Sequence, residues 1–274
     1  MVVEAGGQAE AGVCQPPPKV WQGSAGIVAR LDFFDWLRAE PHPTPGDGVA
    51  VRILALETTE KTGSVAAMCD GKLLLEIELN RQQRSAQSLA PGLQALLRQL
   101  QWRPRDIDLV AVCIGPGSFT GLRVGVAAAK AFAYAANAEV LGVGTLEVIA
   151  ARAPGQIQSI SVAVDAQRGD VVAQSFRRND AGRLCPEAAA RLLDIDTWLA
   201  AIQPDTVVSG PVLQKLAGRV PEHVMVLERQ YREPRAAALA QLAARDYAAG
   251  RRDDIWSLSP HYCRRSAAEE KAEG

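Results

Sequence analysis

Histidine and paired cysteine are scarce in this chain, and each shortage closes off a class of function. The three histidines, His42, His223 and His261, stand in no HxxH, HxxxH or HExxH spacing, so no helix brings two of them onto one face to hold a metal. The five cysteines, Cys14, Cys69, Cys113, Cys185 and Cys263, are odd in number, widely spaced and form no CxxC. That argues against a disulfide framework or a zinc site and fits a reducing cytoplasm. No apolar run approaches the roughly 20 residues that a membrane-spanning helix needs, so no membrane association is expected. Thirty basic and thirty-one acidic residues leave a formal charge of -1, which gives no general nucleic-acid footprint. No Ser-His-Asp set, Cys-His pair or pair of carboxylates stands out, which points to a non-catalytic role.

What is present is an ordinary soluble composition, 48% hydrophobic and 22% charged over 274 residues, enough for two modest domains. Residues 1–50 stand apart as a leader. They hold Gln15-Pro16-Pro17-Pro18, a candidate amphipathic helix over Ile27–Arg38, and the helix-blocking run Pro41-His42-Pro43-Thr44-Pro45-Gly46. With no basic and apolar signal pattern, this leader reads as disordered or non-native rather than as a functional arm, and a valine-type start codon would put the native start near Val49 or Val51. Mass spectrometry of the native N-terminus checks that expectation.

From Val51 the pattern becomes regular. A buried strand at 51–56 ends in Glu57-Thr58-Thr59, and strands at 64–68 and 72–79 meet at Asp70-Gly71. An amphipathic helix at 88–101 carries Leu89 and Leu93 on its stripe, with Pro91 expected in its first turn. A strand at 109–114, a glycine-rich loop, a helix to about Asn137, a strand at 140–143 and a helix at 146–152 follow. Near Pro154-Gly155 the order restarts. A strand at 159–165 ends in Asp165 and a hairpin returns through 171–176. A helix at 196–202, a strand at 206–210, a short strand at 224–227 and an alanine-rich helix at 235–249 follow. Two α/β halves, 51–154 and 155–266, each with an acid ending its first strand, predict a duplicated actin-like ATPase fold; residues 267–274 read as a polar tail.

The most distinctive stretch is Gly115-Pro116-Gly117-Ser118-Phe119-Thr120-Gly121-Leu122-Arg123-Val124-Gly125. A glycine-rich turn from strand to helix presents N–H groups to an anion, or lets another backbone come close. It is no Walker A loop, because five residues separate Gly115 from Gly121 and Leu122 stands where lysine is needed. Gly121, Gly125, Ala128, Ala129 and Ala133 line one small face of the following helix. That face serves either internal packing on the sheet or a docked partner helix. Glu57, Thr58, Thr59 and Asp165 are candidate nucleotide or phosphate contacts, with ATP and magnesium bound weakly or only in a complex, and no tightly bound cofactor or metal expected.

The segments 53–59, 114–125 and 165–171 together strongly resemble the bacterial TsaB (YeaZ) family, and Pro260-His261-Tyr262-Cys263-Arg264 is similar to that family's Pro-x-Tyr-x-Arg ending. The resemblance covers roughly residues 51–269. It implies an actin-like subunit, inactive alone, in making N6-threonylcarbamoyladenosine at position 37 of tRNAs that read ANN codons. It further implies pairing with a catalytic paralogue, TsaD, through helices mapping to about 87–101 and 118–136, a small ATPase, TsaE, joining them, and tRNA met through the complex. A homodimer is an option without the partner. The interface residues expected on this basis are Leu89, Leu93, Ser118, Thr120, Gly121, Arg123, Gly125, Ala128 and Ala129, so that Gly121→Leu or Gly125→Leu is expected to block pairing in a soluble fold. The chain departs from the family at Ser85-Ala86-Gln87, where many members have His-Ser-Glu, and at Gly210-Pro211-Val212, in place of a Gly-x-Gly turn. The rival readings are an independent actin-like ATPase or small-molecule kinase and, disfavoured by the histidines, a metallopeptidase.

Overall fold

In the computed structural model the described residues are 50–80, 85–216 and 218–263, with the backbone alone described at Ser85. The leader helix at 27–38 and the polar tail at 267–274 lie outside them.

The first half is built on a five-stranded sheet. Its strands are β1 (Arg52–Glu57), β2 (Ser64–Cys69), β3 (Lys72–Glu78), β4 (Leu109–Gly115) and β5 (Glu139–Gly144), in the order β3-β2-β1-β4-β5. The hairpin β2–β3 turns at Asp70 (φ 48°) and Gly71 (φ 73°), the two left-handed positions of a tight hairpin turn. β4 lies parallel to β1, with Ile53 opposite Leu109 and Leu56 opposite Val112. Two helices, α1 (Ser85–Leu100) and α2 (Phe119–Ala136), cover one face, where Leu54, Leu56, Val110 and Val112 meet Leu89, Leu93, Leu96, Val126 and Ala129. The alternate residues Ile53, Ala55, Leu109 and Ala111 face the opposite layer. Burial on both faces explains why β1 and β4 read as continuous apolar runs rather than alternating ones.

The second half repeats this arrangement in shorter form. Its sheet has the order β10-β6-β7-β8, from β6 (Ser159–Gln167), β7 (Asp170–Arg178), β8 (Leu184–Pro186) and β10 (Val207–Ser209), while β9 (Arg191–Asp194) also pairs with β7. β6–β7 is an antiparallel hairpin and β10 runs parallel to β6, as β1–β2 and β1–β4 do. Helices α3 (Thr145–Ala150) and α4 (Ile195–Ala200) pack on its two faces. This is the duplicated actin-like fold, with α3 joining the halves: Leu146 and Ile149 sit in the second core while Val148 sits in the first.

Three details differ from the pattern in the sequence. Helix α1 begins a turn earlier than its leucine stripe, so Pro91 stands in the second turn. The segment at 224–227 makes only an isolated parallel bridge, Val226 to Val208. Helix α5 (Ala236–Ala248) is the last helix among the described residues yet packs on the first sheet through Ala236, Leu239, Ala240 and Ala243. Its first turn has no side-chain cap of its own. Ser64 Oγ and Glu76 Oε1 accept from the N–H groups of Ala236 and Ala237 at 2.8 and 3.0 Å, supplying the acceptors that a helix N-terminus lacks.

Candidate functional site

Because β1 and β4 are parallel neighbours, the loops that leave their carboxyl ends lie side by side, the usual place for a site in such sheets. Here they interlock. Thr58 Oγ1 donates to the Gly121 carbonyl at 2.8 Å, and Ser118 N–H donates to the Thr59 carbonyl at 2.8 Å. A Cβ on Gly121 would fall 1.9 Å from the Thr58 carbonyl oxygen, one on Gly125 2.3 Å from Thr58 Oγ1, and one on Gly117 2.7 Å from Thr59 Cβ. The three glycines are therefore the walls of a socket, and Thr58-Thr59 is the plug seated in it.

This corrects two expectations. The Gly121–Gly125–Ala129 face of α2 turns inward, as do Leu89 and Leu93 of α1, all buried in the first core. Small residues are needed there because the backbone of the β1 corner lies against the helix, so none of these five presents a side to a partner. Glu57, Thr58 and Thr59 are fully buried, and so do not form an open phosphate contact.

Glu57 has an unusual setting for a carboxyl group. Its Oε1 accepts from Thr59 N–H at 2.6 Å and from Thr59 Oγ1 at 2.5 Å, while Oε2 has no partner among the described residues. Burial pushes its pKa up to about 8; the hydrogen bonds from Thr59 and the charge of Arg235 pull the other way, and Glu60 adds repulsion. Desolvation wins because burial penalises the charged form more than two hydrogen bonds favour it. Glu60, rather than Glu57, faces the second half. Burial, then Glu233 and Asp165, raise it to about 7 against the pull of Lys215 and Lys61. Asp165 itself is half-buried and paired with Lys215 Nζ.

The outward side of α2 is different in character. Ser118, Thr120, Arg123, Ala127, Ala131, Tyr134 and Ala135 are exposed there, and Ala128 is half-buried. Ser118 also caps the helix, accepting from Gly121 N–H at 3.3 Å, and Asn137 ends it in the left-handed conformation (φ 56°). The closing segment of the chain straps this side. Lys130 Nζ donates to the carbonyls of Trp256 and Leu258, His261 N–H donates to the Ile114 carbonyl at 2.7 Å, and Arg123 Nε donates to Tyr262 Oη at 3.1 Å. Arg123 also lies over the Phe119 ring, which stacks on Tyr262 with centroids 4.8 Å apart. At the far end Tyr134 and Trp256, both more than two-thirds exposed, meet edge to face. Trp256 and Glu60 carry no spacing signal and are missed by sequence reasoning; Tyr262 stands in the Pro-x-Tyr-x-Arg ending, which says nothing of its contact with α2.

Elsewhere, a concavity of about 530 Å³ is lined by Glu76, Glu78, Arg152, Tyr231 and Arg235. Its charges are engaged within the chain: Arg235 with Glu78, Glu76 with the start of α5, and Arg152 with the carbonyls of Gln230 and Glu233. Among the described residues no group of three or more His, Cys, Asp or Glu side chains lies close enough to hold a metal ion. No helix among them is long and apolar enough to cross a membrane.

The profile of the family described as "TsaD: tRNA N6-adenosine threonylcarbamoyltransferase" matches residues 73–272. The tRNA threonylcarbamoyladenosine biosynthesis protein TsaB of Escherichia coli (strain K12) is 27% identical over 230 residues, 82% of this chain and 99% of that protein. Its counterpart in Bacillus subtilis (strain 168) is 26% identical over 231 residues, 80% of this chain and 96% of the relative. The chain belongs to the TsaB (YeaZ) family. The solved structure of YeaZ from Pseudomonas aeruginosa agrees, with a TM-score of 0.68 at 25% identity over 77% of this chain and 99% of that one. Within the TsaB fold, the interlocked corner and the strap just described are the features of this chain that bear on how α2 is held.

Proposed function

We propose that this chain is the partner subunit, inactive alone, of the cytoplasmic assembly that installs the threonylcarbamoyl group on N6 of adenosine 37 in tRNAs reading ANN codons. It pairs with a TsaD-like catalytic paralogue and supports recruitment of a TsaE-like ATPase, and tRNA is met through the complex. The match to TsaB proteins over four-fifths of the chain supports the pathway, and the match to the profile named for TsaD supports a paralogue of related fold.

The observation that carries the docking reading is the outward side of α2. It offers a low ridge of Ala127, Ala131 and Ala135 flanked by Thr120, Arg123 and Tyr134, beside the exposed Gln87, Ala90 and Gln94 of α1. Small residues let a second helix approach closely, and aromatic and arginine side chains at the margins are the types that carry interface energy. The interface is thus moved from the glycine face to the opposite one, keeping Ser118, Thr120, Arg123 and Ala128. Ala131→Glu is expected to abolish co-purification with the catalytic paralogue while leaving the thermal midpoint of the isolated chain within a few degrees. Retained pairing in that variant overturns this assignment of the surface. Titration with Mg-ATP separates the rival ATPase or kinase reading, which requires binding by the isolated chain.

A further inference from the structure

The interlocked corner couples one buried acid to the position of α2. Glu57 holds Thr59 by two hydrogen bonds, Thr59 holds Ser118 N–H, and Thr58 holds the Gly121 carbonyl. Ser118 is the cap of α2 and Gly121 lies in its first turn. The closed corner is tightly packed, since a Cβ added at Gly117, Gly121 or Gly125 would fall within 2.7 Å of Thr58 or Thr59. We propose that Glu57 is a positioning residue for α2: its uncharged carboxyl latches the Thr58–Thr59 plug into the glycine socket, and charge on it releases the plug and loosens the start of the helix. As a statement about partner binding, this rests on the docking reading above; as a statement about the corner, it does not.

The direction follows from the surroundings. The charged groups that bear on Glu57 are Glu60 from its own loop, which repels, and Arg235 at the start of α5, which attracts; Cys113 of β4 faces it with a thiol pushed well above its usual range by burial and by Glu57 itself. An ionised Glu57 would bear charge on an Oε2 that is out of water and has no partner among the described residues, a state that a local opening relieves by hydration. Closed, the group holds its proton to about pH 8; open, it ionises near its ordinary value. One proton is then released on opening between those limits. The opening equilibrium rises by up to about tenfold per pH unit in that window and levels off above it.

Amide hydrogen exchange of the isolated chain reads this directly. After correction for the chemical exchange rate, the Ser118 amide is expected to lose protection by up to about tenfold per pH unit from pH 5 to 8, and to show no such slope in Glu57→Gln. The glutamine keeps an acceptor for Thr59 and cannot titrate. A flat wild-type profile, or the same slope in the glutamine variant, overturns the latch. Should Glu57→Gln not fold, Thr59→Val serves: it removes one bond that favours the charged form, so the levelling-off is expected to move to higher pH, and an unmoved profile overturns the latch. Binding to the catalytic paralogue is the second readout. The ratio of wild-type Kd to Glu57→Gln Kd is expected to rise with pH, and a constant ratio overturns the coupling to docking. Absence of binding at every pH would instead strike the docking reading, leaving the exchange result to judge the corner.

Discussion

The two acids that end the first strand of each half occupy equivalent places and live in opposite conditions. Glu57 is sealed, its neighbours Thr58 and Thr59 pressed into a glycine socket. Asp165 is half-buried and pairs with a mostly exposed Lys215. The difference lies in what the neighbouring parallel strand delivers. β4 continues into three spaced glycines and an 18-residue helix, whereas β10 continues into Gly210-Pro211 and a short 3-10 turn. A duplicated backbone has thus produced one corner whose acid is sealed and one whose acid reaches solvent, and the sealed corner holds the helix proposed to dock.

The largest effect expected from breaking this contrast is at Gly121. Gly121→Ala places a methyl 1.9 Å from a carbonyl oxygen, and a loss of about 3 kcal/mol is expected in denaturant unfolding. At Gly169, where nothing lies within 4 Å but φ is +87°, alanine is expected to cost only about 1 kcal/mol. Leucine at Gly121 or Gly125 is accordingly expected to unfold the chain rather than selectively block pairing.

Next come the acids themselves. Glu57→Ala strands the Thr59 N–H and hydroxyl in the core, and about 2–3 kcal/mol is the expected loss; Asp165→Ala breaks a solvent-screened pair and is expected to cost under about 1 kcal/mol. Equal losses in chemical denaturation would erase the distinction between the corners.

The pH dependence of stability is a further way to sharpen it. Glu57 and Glu60 both have folded-state values raised above 4.5, to about 8 and about 7. The folded state therefore binds more protons than the unfolded one between pH 4.5 and 8. Their contribution is full below pH 4.5 and is lost as pH rises through those values. The thermal midpoint is expected to fall from pH 5 to 8, and Glu57→Gln to flatten the larger part of that slope. The smallest effect is expected from Arg123→Ala, which frees the strap from α2 at a cost of about 0.5–1 kcal/mol, visible as faster exchange around Tyr262.

The fold was largely legible because its signals are local. Apolar runs gave β1, β4 and β6, Asp70-Gly71 and the turn at 168–170 gave the hairpins, and the recurrence of strand, acid and hairpin gave the duplication. The glycine stretch was legible as a place of close approach, but its partner was not. Thr58 lies 63 residues from Gly121, and no periodicity links them; only the parallel pairing of β1 with β4 brings their ends together. A helical wheel shows that a face is small without showing which way it points, and here the small residues fill both sides of α2. Helix α5 and the strap were misassigned to the second half for a similar reason, since sequence order follows the chain and packing does not.

That last arrangement bears on how the protein is made. Residues 236–262 supply α5 and the strap to the first half, and they leave the ribosome after the whole second half. A nascent chain carrying β1–β5, α1 and α2 has one face of its sheet bare, with Ile53, Ala55, Leu109 and Ala111 waiting for Leu239 and Ala240. The second half, closed by segments near to one another, is free to fold first although it is synthesised later. Should the second half fold first, synthesis order and completion order are reversed, and α2, the helix proposed to dock, reaches its final support only when residues 256–262 arrive.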